Sequence, residues 1–394
     1  MAQTRTITGK KLAVFGLLDF AARSLHAAWR PPPPRPGTPK SFLIVEPWGV
    51  GDVILTTPLL EVLRKEFPDA SITMLAKRYA EPLLAHSGLV DEIIPFDFPW
   101  TAFTGKYRPS RYERSAFESL FRQLRSRDFD VSLDARRDIR SNVITYLGGA
   151  RRRIGYDFGG GAHLLTDVLP SGDQNAHKVE DWLALLAPLG IRPTGSRKPR
   201  LTLTEGERVA ARDRLKLLGL STTGPLVGLH PGASHANRRW DQRRFGEVLA
   251  DVLRDNAGQA VIFEEREGDS AEIPTPGRVP RVRTGIRELM GLISQCDVLI
   301  CNDSGPMHIA EALDVPVVAI FGGSRSDWYG PLGDFHRVVQ VDDMPCRPCF
   351  DACIFATPRC MERVSTDSVI SATRLQLNRI STGGVARTIG SGDI

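Results

Sequence analysis

Short apolar runs that end in a turn of glycine, proline and acid, and pass at once into a helical pattern, confine this chain to alternating strands and helices. Three such junctions stand out. Val298 to Cys301 is apolar, Asn302, Asp303, Ser304, Gly305 and Pro306 form the turn, and a helical pattern runs on through Met307 and His308 to Leu313. A helix N-terminus carries unpaired N–H groups and a partial positive charge, so it can seat a phosphate. Asp303 and Ser304 suit an N-cap and Pro306 suits the first turn. Taken alone, the segment also reads as an ordinary capped helix after a buried strand. The second junction runs from the strand Phe42 to Glu46, through Gly49, Gly51 and Asp52, into a helix expected over Val53 to Phe67. The third runs from Leu226 to His230, through Pro231, Gly232, Ala233 and Ser234, to Arg238, Arg239 and Trp240, with a helix near Phe245 to Leu253. Ligands of open α/β sheets bind outside the carboxyl ends of the strands. The junctions fall in both halves of the chain, and two sheets facing each other predict one interdomain cleft.

The alternation continues elsewhere. Strand signals lie at 71–76, 92–96, 131–134, 259–264, 316–321 and 337–341, and helix signals at 114–125, 142–147 and 179–189. Parallel, doubly wound sheets follow. A length of 394 residues suits two domains. The expected division is an arm over 1–40, a first Rossmann-like domain over 41–198, a second over 199–378, and a flexible tail over 379–394.

The net charge of +5 is concentrated in the arm, where seven basic residues oppose Asp19 alone. The rest of the chain is near neutral, which argues against a nucleic-acid-binding core. Residues 10–29 have an amphipathic pattern and precede the stiff run Pro31 to Pro34. Such an arm could lie on an anionic membrane surface or simply pack on its own protein. No apolar run reaches the length of a transmembrane helix, and Asp19 interrupts the apolar stretch a signal peptide would need. Cys296 and Cys301 flank a buried strand. Cys346, Cys349, Cys353 and Cys360 cluster at spacings that could hold zinc, but a reduced, packed cluster with no bound metal is the default expectation.

Together these segments resemble glycosyltransferase family 9, the heptosyltransferases of lipopolysaccharide inner-core assembly. The matching pieces are Gly49 to Pro58 with Phe67, Pro68 and Asp69; His177 to Glu180; His230 to Ala233; and Arg239, Trp240, Arg244 and Phe245. Asn302 to His308, Pro316 to Gly322 and Trp328 to Pro331 complete them, and the resemblance covers residues 41–375. It implies a GT-B fold, two Rossmann-like domains around a cleft. It implies an inverting transferase, needing neither metal nor cofactor, that moves a heptose from an ADP-activated donor to a lipid-linked glycan acceptor. A cytoplasmic protein, peripheral on the inner leaflet, is expected.

The resemblance carries roles to particular residues. Asp52 matches the family's base-bearing position; its alternative is to cap the helix that follows. Without a metal, the leaving diphosphate needs fixed donors. The turn Ser304, Gly305, Pro306 and Met307 would supply N–H groups, and Arg238 or Arg239 the cation, with Arg238 standing where the family often has lysine. Asp303 would contact donor hydroxyls or order the turn. His308 would face the phosphates or be structural. Gly51, Thr56, Arg136, Arg137 and Arg140 are acceptor-side candidates, the arginines because they follow a strand end at Asp134 and an acidic acceptor needs cations.

One stretch departs from the family. After Phe263 the family usually shows glycines and then an acid that holds the nucleoside; here the run is Glu264, Glu265, Arg266, Glu267, Gly268, Asp269. Asp269 or Glu265 is left to take the ribose role, and the donor's nucleotide and sugar stay open. Two alternatives follow: a GT-B transferase using another nucleotide sugar, or a non-catalytic homologue that binds nucleotide or glycan. A nicotinamide dehydrogenase fits worse, because the turn at Gly49 and Gly51 lacks the third glycine of a dinucleotide fingerprint.

Overall fold

The computed structural model describes the chain except residues 1–18, 20–22, 25–28, 103–107, 109, 111, 158, 171–172, 174, 222–223, 255–257, 266–267, 269, 350–352 and 382–394. The helix expected over 10–29 falls almost wholly outside the described residues, as do 382–394 of the expected tail. The chain divides into two compact units, Met1–Thr202 and Leu203–Ile394.

Each unit is built on one six-stranded, all-parallel sheet. The first has the order β3-β2-β1-β4-β5-β6, with β1 Ser41–Glu46, β2 Ser71–Ala76, β3 Glu92–Pro95, β4 Val131–Leu133, β5 Arg152–Tyr156 and β6 Asp167–Leu169. The second has the order β9-β8-β7-β10-β11-β12, with β7 Leu226–His230, β8 Gln259–Glu264, β9 Arg281–Arg283, β10 Val298–Asn302, β11 Val317–Phe321 and β12 Arg337–Gln340. Counted within each unit, both sheets run 3-2-1-4-5-6. Strand direction in the connections reverses between the first and fourth strands, and that is where doubly wound sheets open a crevice. The two Rossmann-like units expected from the sequence are therefore present.

The cores explain the apolar runs. β1, β10 and β11 are buried nearly end to end, as strands covered on both faces must be. In the second unit the helix Gln242–Arg254 turns Phe245, Val248, Leu249 and Val252 onto the sheet at helical spacing. The helix Thr366–Ser381 packs beside it. In the first unit, Leu43, Val45, Leu75, Phe98, Leu120, Leu124 and Ile144 form the main cluster.

Two local details differ from the sequence reading. The helix expected from Val53 is two helices, Val50–Ile54 and Thr57–Glu66. Pro58 has no N–H to continue the first, and the hydroxyls of Thr56 and Thr57 donate to the carbonyls of Val53 and Ile54 at 2.7 and 2.8 Å. Arg152 and Arg153 open β5, a strand the sequence did not signal. Arg152 forks onto Asp167 of β6 at 2.9 and 2.7 Å, and Arg153 donates to the carbonyls of Leu164 and Ala150 at 2.6 and 2.7 Å.

The second unit starts with a doubly anchored helix, Glu205–Leu217. Thr204 and Glu207 form a capping box, the Glu207 N–H donating to Thr204 Oγ1 at 3.3 Å and the Thr204 N–H to Glu207 Oε2 at 2.8 Å. Arg287, from the helix Ile286–Ile293, donates through Nε to Glu207 Oε1 at 2.6 Å. The Arg287 hydrogen bonds hold the Glu207 carboxyl down at about 2. A depressed carboxylate stabilises the fold above its unfolded value and loses that contribution as pH falls through the folded one. Glu207→Gln is expected to cost about 1–2 kcal/mol at pH 7, discounted because the pair is partly solvated. Denaturant titrations from pH 7 down to 2 should show the gap to wild type closing below about pH 4.5; a constant gap would mean that the capping geometry, not the charge, matters.

Candidate active site

At the first sheet's reversal, β1 ends in Glu46, whose side chain is fully buried. The chain then turns at Gly49, which is extended, and the helix begins at Val50. Asp52 lies in that helix's first turn and reaches back, accepting the Gly49 N–H on Oδ2 at 2.9 Å. A Cβ at residue 49 would stand 2.9 Å from the same oxygen, so only glycine admits this close approach. Asp52 thus does cap its helix, one turn earlier than the sequence suggests.

The neighbouring strand β4 supplies the counter-charge. Asp134 Oδ1 accepts the Arg136 N–H at 2.9 Å and shapes the turn after the strand. The Arg136 guanidinium then spans two carboxylates. Its Nη2 lies 2.6 Å from Asp52 Oδ1 and 2.7 Å from Glu46 Oε1, while Nε donates to the same Glu46 oxygen at 3.1 Å. The Trp48 ring covers it at 4.9 Å to the centroid, and the Tyr79 hydroxyl donates to the Trp48 carbonyl. Lys178 is buried beside them, its Nζ donating to the Ala135 carbonyl at 2.9 Å and lying 3.3 Å from Asp181 Oδ2.

The two carboxylates are affected in opposite directions. Burial pushes Glu46 up to about 7, with Arg136 offsetting only part of the cost and the charge of Asp52 adding to it. Burial raises Asp134 to about 7 as well. Burial also acts to raise Asp52, but Arg136 and the Gly49 N–H outweigh it and hold the carboxyl below its ordinary value. Burial lowers Lys178. Asp52 is 22% exposed and Glu46 is not exposed at all. An ionised carboxylate with an open edge can accept a proton.

Of the other acceptor-side candidates, Gly51 lies within the same short helix as Asp52. Thr56 is wholly buried, its hydroxyl on the Val53 carbonyl. Arg137 is turned inward by a left-handed backbone, pairs with Asp181 at 2.8 Å and covers Tyr156. Arg140 folds onto Asp138 and lies between the rings of Trp48 and Trp100, 5.7 and 5.8 Å from their centroids. The sequence reading assigned no role to Glu46 or Lys178. A charged residue closing an otherwise apolar strand was the available signal for Glu46.

The second sheet repeats the arrangement. Asn302 closes β10 and clips the loop after β7, its amide donating to the Pro231 carbonyl at 2.6 Å and accepting the Trp240 N–H at 3.1 Å. Asp303 is buried; it lies 3.3 Å from Arg238 Nη1 and accepts the Ser324 hydroxyl. Arg239 is exposed and folds back, its Nε donating to the Ala233 carbonyl at 2.9 Å. Arg238 is thus the arginine that reaches the β10 turn. Asp303 orders that turn.

The helix Gly305–Ala312 starts there, with Ser304 as N-cap and Pro306 in its first turn. The Ser304 hydroxyl donates to the Asn302 carbonyl at 3.1 Å and does not cap the helix. Ser304 and Gly305 are half-buried, whereas Pro306 and Met307 are buried. His308 Nδ1 lies 3.3 Å from Glu311 Oε2, and the fully buried Glu311 accepts the Leu332 N–H at 2.7 Å on its other oxygen. That pairing fixes the imidazole. Asp269 lies outside the described residues. Glu265, at the end of β8, is exposed and 3.9 Å from His230 Nε2. The four clustered cysteines are free thiols, with burial pushing Cys349 up to about 11. Among the described residues no group of three or more His, Cys, Asp or Glu side chains is arranged to hold a metal.

Comparison with known proteins agrees with this arrangement. Residues 117–357 match the family model described as glycosyltransferase family 9 (heptosyltransferase). Lipopolysaccharide heptosyltransferase 2 of Escherichia coli K12 is 28% identical over 319 residues, which span 76% of this chain and 88% of that protein. Lipopolysaccharide heptosyltransferase 3 of the same organism is 26% identical over 344 residues, 82% of this chain and 94% of that one. Among solved structures, a family 9 glycosyltransferase from Veillonella parvula superposes with a TM-score of 0.70 at 22% identity, covering 86% of this chain and 97% of its own. The E. coli ADP-heptose lipopolysaccharide heptosyltransferase II gives 0.66 at 22% identity, covering 86% and 99%. The GT-B fold of two α/β domains expected from the sequence is the fold of this chain. With its family model matched over more than half its length, the protein belongs to glycosyltransferase family 9 and is a transferase.

Proposed function

We propose that this chain is an inverting, metal-independent heptosyltransferase that moves a heptose from ADP-heptose to a lipopolysaccharide core-type acceptor. The observation that carries the reading is Asp52, held ionised at the reversal of the first sheet with one edge open. Asp52 takes the proton of the acceptor hydroxyl. The hydroxyl oxygen forms its bond to the anomeric carbon from one face, and the bond to the diphosphate breaks on the other. The electron pair leaves with ADP. Its negative charge needs fixed partners, and the second domain offers Arg238, braced on Asp303, together with the N–H end of the helix starting at Gly305. These donors supply the charge that a cation would otherwise bring. His308 is fixed on Glu311 one turn further along that helix.

The activities of the relatives favour heptose and a lipopolysaccharide acceptor. The charged run from Glu264, where the family has glycines, supports a second reading, a different nucleotide sugar on the same machinery. No helix among the described residues is long and apolar enough to cross a membrane. A cytoplasmic enzyme whose basic arm meets the anionic inner leaflet fits both the charge distribution and a lipid-linked acceptor.

Asp52→Asn is expected to lower kcat by about 10²–10⁴-fold while ADP still binds in calorimetry. Turnover within a few fold of wild type would remove Asp52 from the mechanism. Arg238→Gln is expected to lower kcat/KM for the donor by about a hundredfold; an equal loss in Arg239→Gln would mean that the arginines had been assigned wrongly. A donor panel of ADP-heptose against UDP-, GDP- and other ADP-sugars should give transfer with ADP-heptose alone, and preference for another donor would move the substrate assignment to the second reading.

A further inference from the structure

The base reading leaves one group unexplained. Glu46 is a fully buried acid at the end of an apolar strand, and burying a carboxylate is expensive unless it is paired. Its Oε1 takes two hydrogen bonds from Arg136, at 2.7 and 3.1 Å, and its Oε2 has no hydrogen-bond partner among the described residues. The same Nη2 that reaches Glu46 also reaches Asp52. One guanidinium is therefore divided between two carboxylates, only one of which opens outward. Trp48 covers the guanidinium and limits water around it.

We infer that Glu46, acting through Arg136, is a positioning residue for Asp52: it anchors the guanidinium across both carboxylates and sets the basicity with which Asp52 takes the acceptor proton. The inference rests on Asp52 being the base. With Arg136 to itself, Asp52 would be a firmly ionised but feeble base. Without Arg136, two neighbouring carboxylates would share a proton, and Asp52 would often hold it. Glu46 holds the guanidinium from the buried side and, once ionised near neutral pH, adds its own negative field, so Asp52 stays ionised yet keeps some proton affinity. Burial chiefly holds Glu46 up at about 7, and the charge of Asp52 adds to it, so Asp52 ionises first and Glu46 gains its charge only near neutral pH. The other charged or titratable groups facing it are Asp134 after β4, Lys178 and Asp181 from the helix Lys178–Ala184, Arg137, Asp138, and Tyr79. Lys178 and Arg137 both pair with Asp181, and Asp134 holds the Arg136 backbone.

The test compares wild type, Glu46→Gln and Arg136→Gln in the full-length chain, by two readouts. One is the carbon-13 titration of carboxyl-labelled aspartate, with Asp52 assigned by its loss in Asp52→Asn. The other is the pH profile of kcat with ADP-heptose and acceptor. Glu46→Gln preserves shape and an acceptor oxygen but cannot ionise; Asp52 loses its proton while Glu46 is still neutral, so the Asp52 signal should keep its main titration step and lose the second, smaller step that Glu46 imposes near pH 7. Without that second charge Asp52 is the weaker base, so kcat should fall by about threefold above pH 7 and match wild type well below it. Arg136→Gln removes the cation, so the titration and the acid limb should move up by about one unit or more. A Glu46→Gln signal that keeps the step near pH 7, or an Arg136→Gln titration that stays at the wild-type position, would overturn the inference, because a merely structural pair has no reason to couple to the Asp52 carboxyl. If Arg136→Gln does not fold, Arg136→Lys retains the charge and must leave the main Asp52 step near wild type while Glu46→Gln loses the step near pH 7; a main step moved by a unit or more in Arg136→Lys would also overturn it. Wild-type protein that turns over no donor, while the Asp52 signal still loses its second step in Glu46→Gln, would count against the heptosyl reading and leave the linkage standing.

Discussion

Parallel pairing of the first strand with the fourth, β1 with β4 and β7 with β10, decides where the chemistry of this protein can lie. Each pair points its carboxyl ends the same way, while the connections leave in opposite directions around the sheet. Turns emerging there do not cover one another. Charged side chains can approach each other without crossing the apolar layer, and short helices can present their N–H ends. The first domain fills this position with carboxylates and a guanidinium. The second fills it with an arginine, an asparagine clip and a helix start. Duplicated topology thus gives two sites of different electrostatic character, one suited to removing a proton and one to accepting negative charge.

The first of these sites is costly to build. Glu46 and Asp134 are buried acids, and Lys178 is a buried amine. Their compensation comes from directed contacts more than from solvent: the Arg136 guanidinium for Glu46, the Arg136 backbone N–H for Asp134, and the Ala135 carbonyl with Asp181 for Lys178. A cluster of this kind contributes little net stability, since pairing mainly offsets desolvation. What it provides is orientation. Asp52 has one oxygen held by a backbone amide and the other by Arg136, so its open edge is aimed without help from a ligand.

Much of this could be read from the chain, and the limits have physical causes. The strands β1, β7, β10 and β11 announce themselves because both faces are buried, which leaves unbroken apolar runs. The turns after them carry glycine, proline and acid for reasons of backbone geometry, so the candidate positions Asp52, Arg238 and Asp303 were visible. The strands β5, β6 and β9 were not, because they are short and carry arginine or aspartate whose charges are satisfied sideways. The break at Thr56 depends on hydroxyls bonding backward within one turn, a choice that propensity does not make. The triangle of Glu46, Asp52 and Arg136 joins groups 90 residues apart, and no local pattern encodes that meeting. Neighbouring arginines pose a similar problem: Arg238 reaches inward and Arg239 folds back because consecutive side chains of a tight turn diverge.

Asn302 has a consequence of a different kind. By gripping the carbonyl of Pro231 and the amide of Trp240, it closes both ends of the loop between them into a ring pinned to β10. A loop closed in advance has already lost most of its conformational freedom. A ligand settling against Arg238 would find the loop in one shape and need not freeze it, so less of the contact energy is consumed in ordering the protein and more appears as affinity. One amide side chain would in this way make the loop behave as a rigid wall.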